Sequence, residues 1–103
     1  MGTKEEETLQ DYIAESLEHL SAIENDLLTI EKAGANIDKE LVNKVFRAAH
    51  TIKGGAGFVG LATIKELSHK MESVLGMIRN RDLIPNAENI HFRAYIHTLR
   101  RFM

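Results

Sequence analysis

Residues 9–34 read LQDYIAESLEHLSAIENDLLTIEKAG, and the spacing of their apolar side chains decides the fold class. Leu9, Ile13, Leu20, Ile23, Leu27 and Ile30 recur at intervals of three, four or seven, which stacks them on one face of an α-helix. Tyr12, Leu17 and Leu28 widen that stripe. The stretch therefore predicts one long amphipathic helix over about 8–33, with residues 1–7 as a flexible N-terminus. Gly34 supplies the stop, because glycine takes the left-handed conformation that ends many helices at no steric cost.

Outward from this helix, Asp38 offers an N-cap for a second, with Ile37 before it and Val42 after it placed as a hydrophobic staple. Leu41, Val45, Ala48 and Ile52 form its predicted inward face, with Val42 and Ala49 alongside, and it runs into the cluster Gly54-Gly55-Ala56-Gly57. A third helix is predicted from about Gly60, carrying Ile64, Leu67, Met71, Val74, Leu75 and Ile78 as its stripe. The single proline, Pro85, punctuates the next connection, and Asn86 is placed to cap a fourth helix. There Phe92, Ile96, Leu99 and Met103 fall at i, i+4, i+7 and i+11, a pattern still running where the chain stops, as expected of a fragment. Strand signals are absent and the linkers are short. The predicted fold is all-α, an antiparallel up-and-down helical bundle with four helices visible.

Composition narrows the function classes. The 103 residues suffice for one core. Without cysteine there is neither a disulfide framework nor a thiolate metal site, and a cytoplasmic protein is expected. Thirteen Lys and Arg against fifteen Asp and Glu give a formal charge of −2, which offers nucleic acid or an anionic membrane no basic footprint. No apolar run approaches the roughly 20 residues of a membrane span.

The reactive side chain that stands out is His50. At 100° per residue, the apolar centre of the second helix lies between Val45 and Ala49, and His50 is on the order of 130° away, pointing outward. Its vertical neighbours are Phe46, Lys53, Gly54 and Gly57, so one exposed stripe carries a nucleophile, a cation and two bare patches of backbone. A glycine inside a helix costs up to about 1 kcal/mol relative to alanine, and clearance for a docking protein is one reason to keep two. On their own, a histidine beside a lysine read as solvated surface, and Gly54 and Gly57 as the end of the helix.

The whole stretch Phe46-Arg47-Ala48-Ala49-His50-Thr51-Ile52-Lys53-Gly54-Gly55-Ala56-Gly57, with His69 and Glu72 on the next helix, resembles a known family. It is similar to histidine phosphotransfer domains, in the form found at the N-terminus of the chemotaxis histidine kinase of CheA type. The likeness covers roughly residues 8–85, and a motif coupled across two helices is more specific than the five-residue signature alone. It implies that His50 is the phosphorylated residue and that Lys53 is the motif's lysine. It also implies that Glu72 hydrogen-bonds the acceptor imidazole and that His69 supports Glu72. Residues 8–103 would then form one phosphotransfer domain at the N-terminal end of a larger kinase. From His91 to Met103 only helical periodicity matches, and the chain is too short for the fifth helix usual in the family.

These residue types suit the chemistry. Only the imidazole nitrogen without a proton attacks phosphorus, so the tautomer matters. A carboxylate accepting the Nδ1–H of His50 leaves the Nε2 lone pair facing solvent and stabilises the positive charge that develops. Glu72, roughly 110° from the apolar centre of its helix, sits at a flank where a neighbouring helix can meet it. Lys53 would screen a phosphoryl dianion, an effect of about 0–1 kcal/mol for an exposed pair. The implied partners are the ATP-binding domain of a histidine kinase, in cis or in trans, and the receiver domains of response regulators. The expected docking surface is Phe46, Gly54 and Gly57 around His50. No cofactor is expected in this domain, ATP and Mg²⁺ being bound by a separate kinase domain.

Three other readings compete. Gly55-x-Gly57-x-x-Gly60 has the dinucleotide-binding spacing, but it follows a helix with no strand to house it. A metal site would need His50, His69 and Glu72 to converge, yet the chain has His-x-x-Glu once, and His19, His91 and His97 fall at no ligand spacing with it. In a purely structural bundle, Lys65, His69 and Glu72 would be a solvated face.

Overall fold

The computed structural model describes residues 4–59, 61–85 and 92–103. Among them are four helices: α1 Lys4–Ala33, α2 Lys39–Val59, α3 Ala62–Arg79 and α4 Phe92–Phe102. α1 packs on α2, α2 on α3, α3 on α4, and α4 back on α1. Cross-helix partners run in opposite directions. Tyr12 meets Ile52 while Asp26 meets Lys44, Lys53 meets Glu72 while Asn43 meets Arg79, and Glu24 meets Arg100 while Glu31 meets Arg93. The result is the antiparallel up-and-down bundle expected from the short linkers.

The core is the set of stripes read from the sequence, with local shifts. Leu20, Ile23, Leu27 and Ile30 of α1 are buried, as are Val42, Val45, Ala49 and Ile52 of α2, Ile64, Met71, Leu75 and Ile78 of α3, and Ile96 and Leu99 of α4. On α2 the buried face is rotated slightly from the predicted one, since Leu41 and Ala48 are only half-buried while Ala56 is fully enclosed. On α3 the predicted Leu67 and Val74 are half-buried, and two polar residues, Ser68 and Glu72, are buried instead. Hydrophobic periodicity could not place them there, because polarity reads as surface until a neighbouring helix is known.

Helix ends follow local chemistry. Gly34 has φ +57° and its N–H reaches the Ile30 carbonyl, so it stops α1 as expected. The Asp38 carboxylate accepts the N–H groups of Glu40 and Leu41, capping α2. Ile37 and Val42 line the same crevice beside Ala33, as a staple requires. α3 ends in a Schellman turn, with Asp82 N–H to Met77 O and Arg81 N–H to Ile78 O, but its left-handed residue is Arg81 (φ 65°) rather than glycine.

Three boundaries differ from expectation. Residues 4–7, expected as part of a flexible N-terminus, form the first turn of α1. α2 does not stop at the glycine cluster but continues through it to Val59. α3 begins at Ala62 rather than Gly60, and Gly60, Asn86 and His91 lie outside the described residues.

Candidate functional site

His50 lies on the flank of α2 next to α3, with its side chain 64% exposed. Its Nδ1 is 2.6 Å from Oε1 of Glu72, which reaches across from α3 with only 8% of its side chain exposed. Lys53, one turn after His50, donates from Nζ to the other oxygen, Oε2, also at 2.6 Å. One buried carboxylate thus spends one oxygen on the imidazole and one on the ammonium. The pairing follows from the antiparallel α2–α3 hairpin, which brings the flank of one helix against that of the other at these positions.

Burial alone pushes the Glu72 carboxyl up, but the hydrogen bonds from Lys53 and His50, with their charge, outweigh it and hold the group below its ordinary range. At neutral pH Glu72 is therefore ionised and can only accept. The proton between it and His50 then sits on Nδ1. In the neutral imidazole this leaves the Nε2 lone pair free on the exposed side of the ring.

The remaining site candidates fall out differently. His69, expected to support Glu72, has Nδ1 3.9 Å from Oε2 and makes no hydrogen bond to it, and its side chain is 66% exposed. Lys53 occupies that supporting position, so its ammonium is directed at Glu72 and not freely at solvent. Phe46 is half-buried against the core and covered by the Arg79 guanidinium, 4.8 Å from the ring centroid, which leaves less of it exposed than a docking residue was expected to offer. Gly54 is open, with nothing within 4 Å of where a Cβ would stand, whereas Gly57 is flanked by the Lys65 side chain.

Sequence reasoning missed a support behind the site. Tyr12 of α1 donates its hydroxyl to the Ile52 carbonyl at 2.7 Å, and its ring fills the space beside Gly55. Burial pushes the Tyr12 phenol up, against the pull of a hydrogen bond with Ser16, so it is a neutral donor at physiological pH. Its position in the α1 stripe marked Tyr12 as core, and nothing in one sequence tells which carbonyl its hydroxyl will reach. The metal reading finds no support, since no group of three or more His, Asp or Glu able to hold an ion occurs among the described residues. His19 is half-buried on α1 and His97 exposed on α4, away from the His50–Glu72 pair in sequence and helix.

The hydrogen bond between an exposed histidine on α2 and a glutamate on α3 is what the sequence likeness led one to expect, whereas the burial of that glutamate and its second bond, to Lys53, are not. The family model of the Hpt domain matches residues 7–102. The chain belongs to the Hpt domain family. Among relatives, the Hpt domain is 40% identical over 91 residues to the chemotaxis protein CheA of Bacillus subtilis, covering 86% of this chain and 13% of that protein. It is 42% identical over 72 residues to CheA of Listeria monocytogenes, covering 70% of this chain and 11% of that protein. The Hpt domain therefore spans about a tenth of the length of the curated relatives it matches. Among solved structures, the CheA phosphotransferase domain from Thermotoga maritima superposes with a TM-score of 0.86 at 30% identity, over 98% of this chain and 94% of that one. Among the described residues no helix is long and apolar enough to cross a membrane.

Proposed function

We propose that His50 carries the phosphoryl group in a chemotaxis-type phosphorelay. The observation that carries this reading is the 2.6 Å contact between His50 Nδ1 and the ionised Glu72. It supports attack from Nε2: the Nε2 lone pair forms the N–P bond as the bond from phosphorus to the donor oxygen breaks. The positive charge that develops on the ring lies against Glu72 while the proton stays at Nδ1. In the second half-reaction an aspartate oxygen of a receiver domain attacks phosphorus, the N–P bond breaks, and its electron pair returns to Nε2. Lys53 acts as a positioning residue, holding Glu72 from the far side. The phosphodonor is ATP, bound with Mg²⁺ by a separate kinase domain in the same chain or another, and the setting is the cytoplasm. The domain is a phosphoacceptor and turns over no ATP itself.

The test is phosphorylation by a CheA-type kinase domain, followed by chemical characterisation of the product. An acid-labile, alkali-stable phosphoryl group is expected in the unaltered protein and none in His50→Gln, whose circular dichroism should be unchanged because His50 lies outside the core. Label persisting in His50→Gln overturns the assignment.

A further inference from the structure

Charge is distributed unevenly over the exposed faces of α1 and α3. On α1, Glu7, Asp11, Glu15 and Glu18 follow at spacings of four, four and three, forming one exposed acidic stripe. The acids nearer the C-terminal end of α1 are matched across the bundle, Asp26 by Lys44, Glu24 by Arg100 and Glu31 by Arg93, but these four pair with no cation among the described residues. On α3 the sign reverses. An open cleft beside Lys53 is lined by Ala62, Lys65, Glu66, His69 and Lys70 of α3. Lys65 and Lys70 pair with no carboxylate among the described residues, and Glu66 is the only acid lining the cleft. The Lys65 side chain lies along α2 at Gly57, with Cδ, Cε and Nζ 3.7–3.8 Å from where a Cβ of that glycine would stand. This ammonium is therefore on the same face as His50, two helical turns along α2. Lys53, the cation expected to meet the incoming group, is committed to Glu72.

We propose that the Lys65–His69–Lys70 cleft of α3 is the docking surface for the carboxylate-rich rim of the receiver domain that takes the phosphoryl group from His50. The proposal rests on the phosphotransfer reading and adds the side from which the partner arrives. An aspartate acceptor pocket surrounded by carboxylates is attracted over α3 and repelled from the acidic face of α1, so the two faces together orient the encounter. The formal charge of −2 conceals this, because it sums thirteen cations and fifteen anions without regard to where they lie.

The experiment measures binding of the unphosphorylated protein to the chemotaxis receiver domain of the same organism, by calorimetry at low and high salt. The double variant Lys65→Glu/Lys70→Glu should bind about tenfold or more weakly at low ionic strength, with the gap closing towards 1 M salt. Lys65→Gln/Lys70→Gln should fall between the two. Glu15→Lys/Glu18→Lys should bind as well as the unaltered protein or better. Phosphorylation of His50 by phosphoramidate should be equal in all of them, which reports that the His50–Glu72 site is intact. Unchanged receiver affinity in the lysine reversals, or weaker binding in the α1 reversals, overturns the docking surface. So does slower phosphorylation by the kinase domain in the lysine reversals with receiver binding unaffected, since the cleft would then serve the kinase. Failure of phosphoramidate to label His50 in the unaltered protein, with the binding differences intact, counts against the phosphotransfer reading alone.

Discussion

The two flanks of α2 hold neighbouring glycines in opposite surroundings. Towards α1, a Cβ on Gly55 would stand 2.6 Å from Cδ2 of the Tyr12 ring, a ring tied to the Ile52 carbonyl by its hydroxyl. One residue earlier, Gly54 faces open space on the side that carries His50. Beside these glycines the α1 flank is closed by an aromatic ring, and the α3 flank is held by a carboxylate shared between His50 and Lys53. Consecutive glycines that look alike in sequence thus serve different ends. Gly55 lets two helices approach closely, and Gly54 leaves the backbone beside His50 uncovered.

The largest effect on this contrast should come from removing the carboxylate. Glu72→Ala should slow phosphorylation of His50 on the order of 10²-fold, because the ring loses its tautomer control and charge stabilisation while keeping its nucleophile. The domain should stay folded, and single-turnover labelling with a kinase domain measures the rate; an unchanged rate would place tautomer control elsewhere. Next come the glycines. Gly55→Leu should lose about 1–3 kcal/mol in denaturant unfolding, because the Tyr12 ring must leave its place and give up the Ile52 carbonyl. Gly54→Leu should keep its melting temperature and lose transfer to the receiver, its added volume standing one turn from His50. Equal loss of stability in the two variants would erase the distinction between the flanks.

The smallest effect expected is on the pH dependence of stability. Glu72 has a folded-state pKa below its unfolded value, so the stability its ionised form contributes is complete above about pH 4.5 and is lost as pH falls through the lower, folded-state value. Tyr12 carries no charge anywhere in that range. Acid should therefore loosen the contact of Glu72 with His50 and Lys53 while leaving the Tyr12–Ile52 hydrogen bond in place. In melting curves between about pH 6 and pH 3, Glu72→Gln should show a shallower decline than the unaltered protein. Parallel declines would mean that Glu72 contributes nothing through that contact.

Much of this was legible in the sequence because it depends on local periodicity and local chemistry. The α1 stripe from Leu20 to Ile30, the Gly34 stop, the Asp38 cap and the outward position of His50 each follow from residues within a turn or two of one another. The assignment of Glu72 to the His50 imidazole came from a likeness to a family, and the geometry agrees with it. The burial of Glu72 and Ser68, the use of Lys53 in place of His69 to hold Glu72, and the Tyr12 ring over Gly55 were not legible. All of these are contacts between helices.

By itself the sequence determined the helices, most of their inward faces and the outward position of His50, since each rests on the 3.6-residue repeat and on which backbone conformations glycine and the capping residues allow. Only the tertiary structure decided which polar groups on neighbouring helices meet. A difference of one residue along a helix turns a side chain through 100°, so whether Lys53 or His69 reaches Oε2 depends on how α2 and α3 are set against each other. That setting is a property of the packed core as a whole, and no single stretch of the chain contains it.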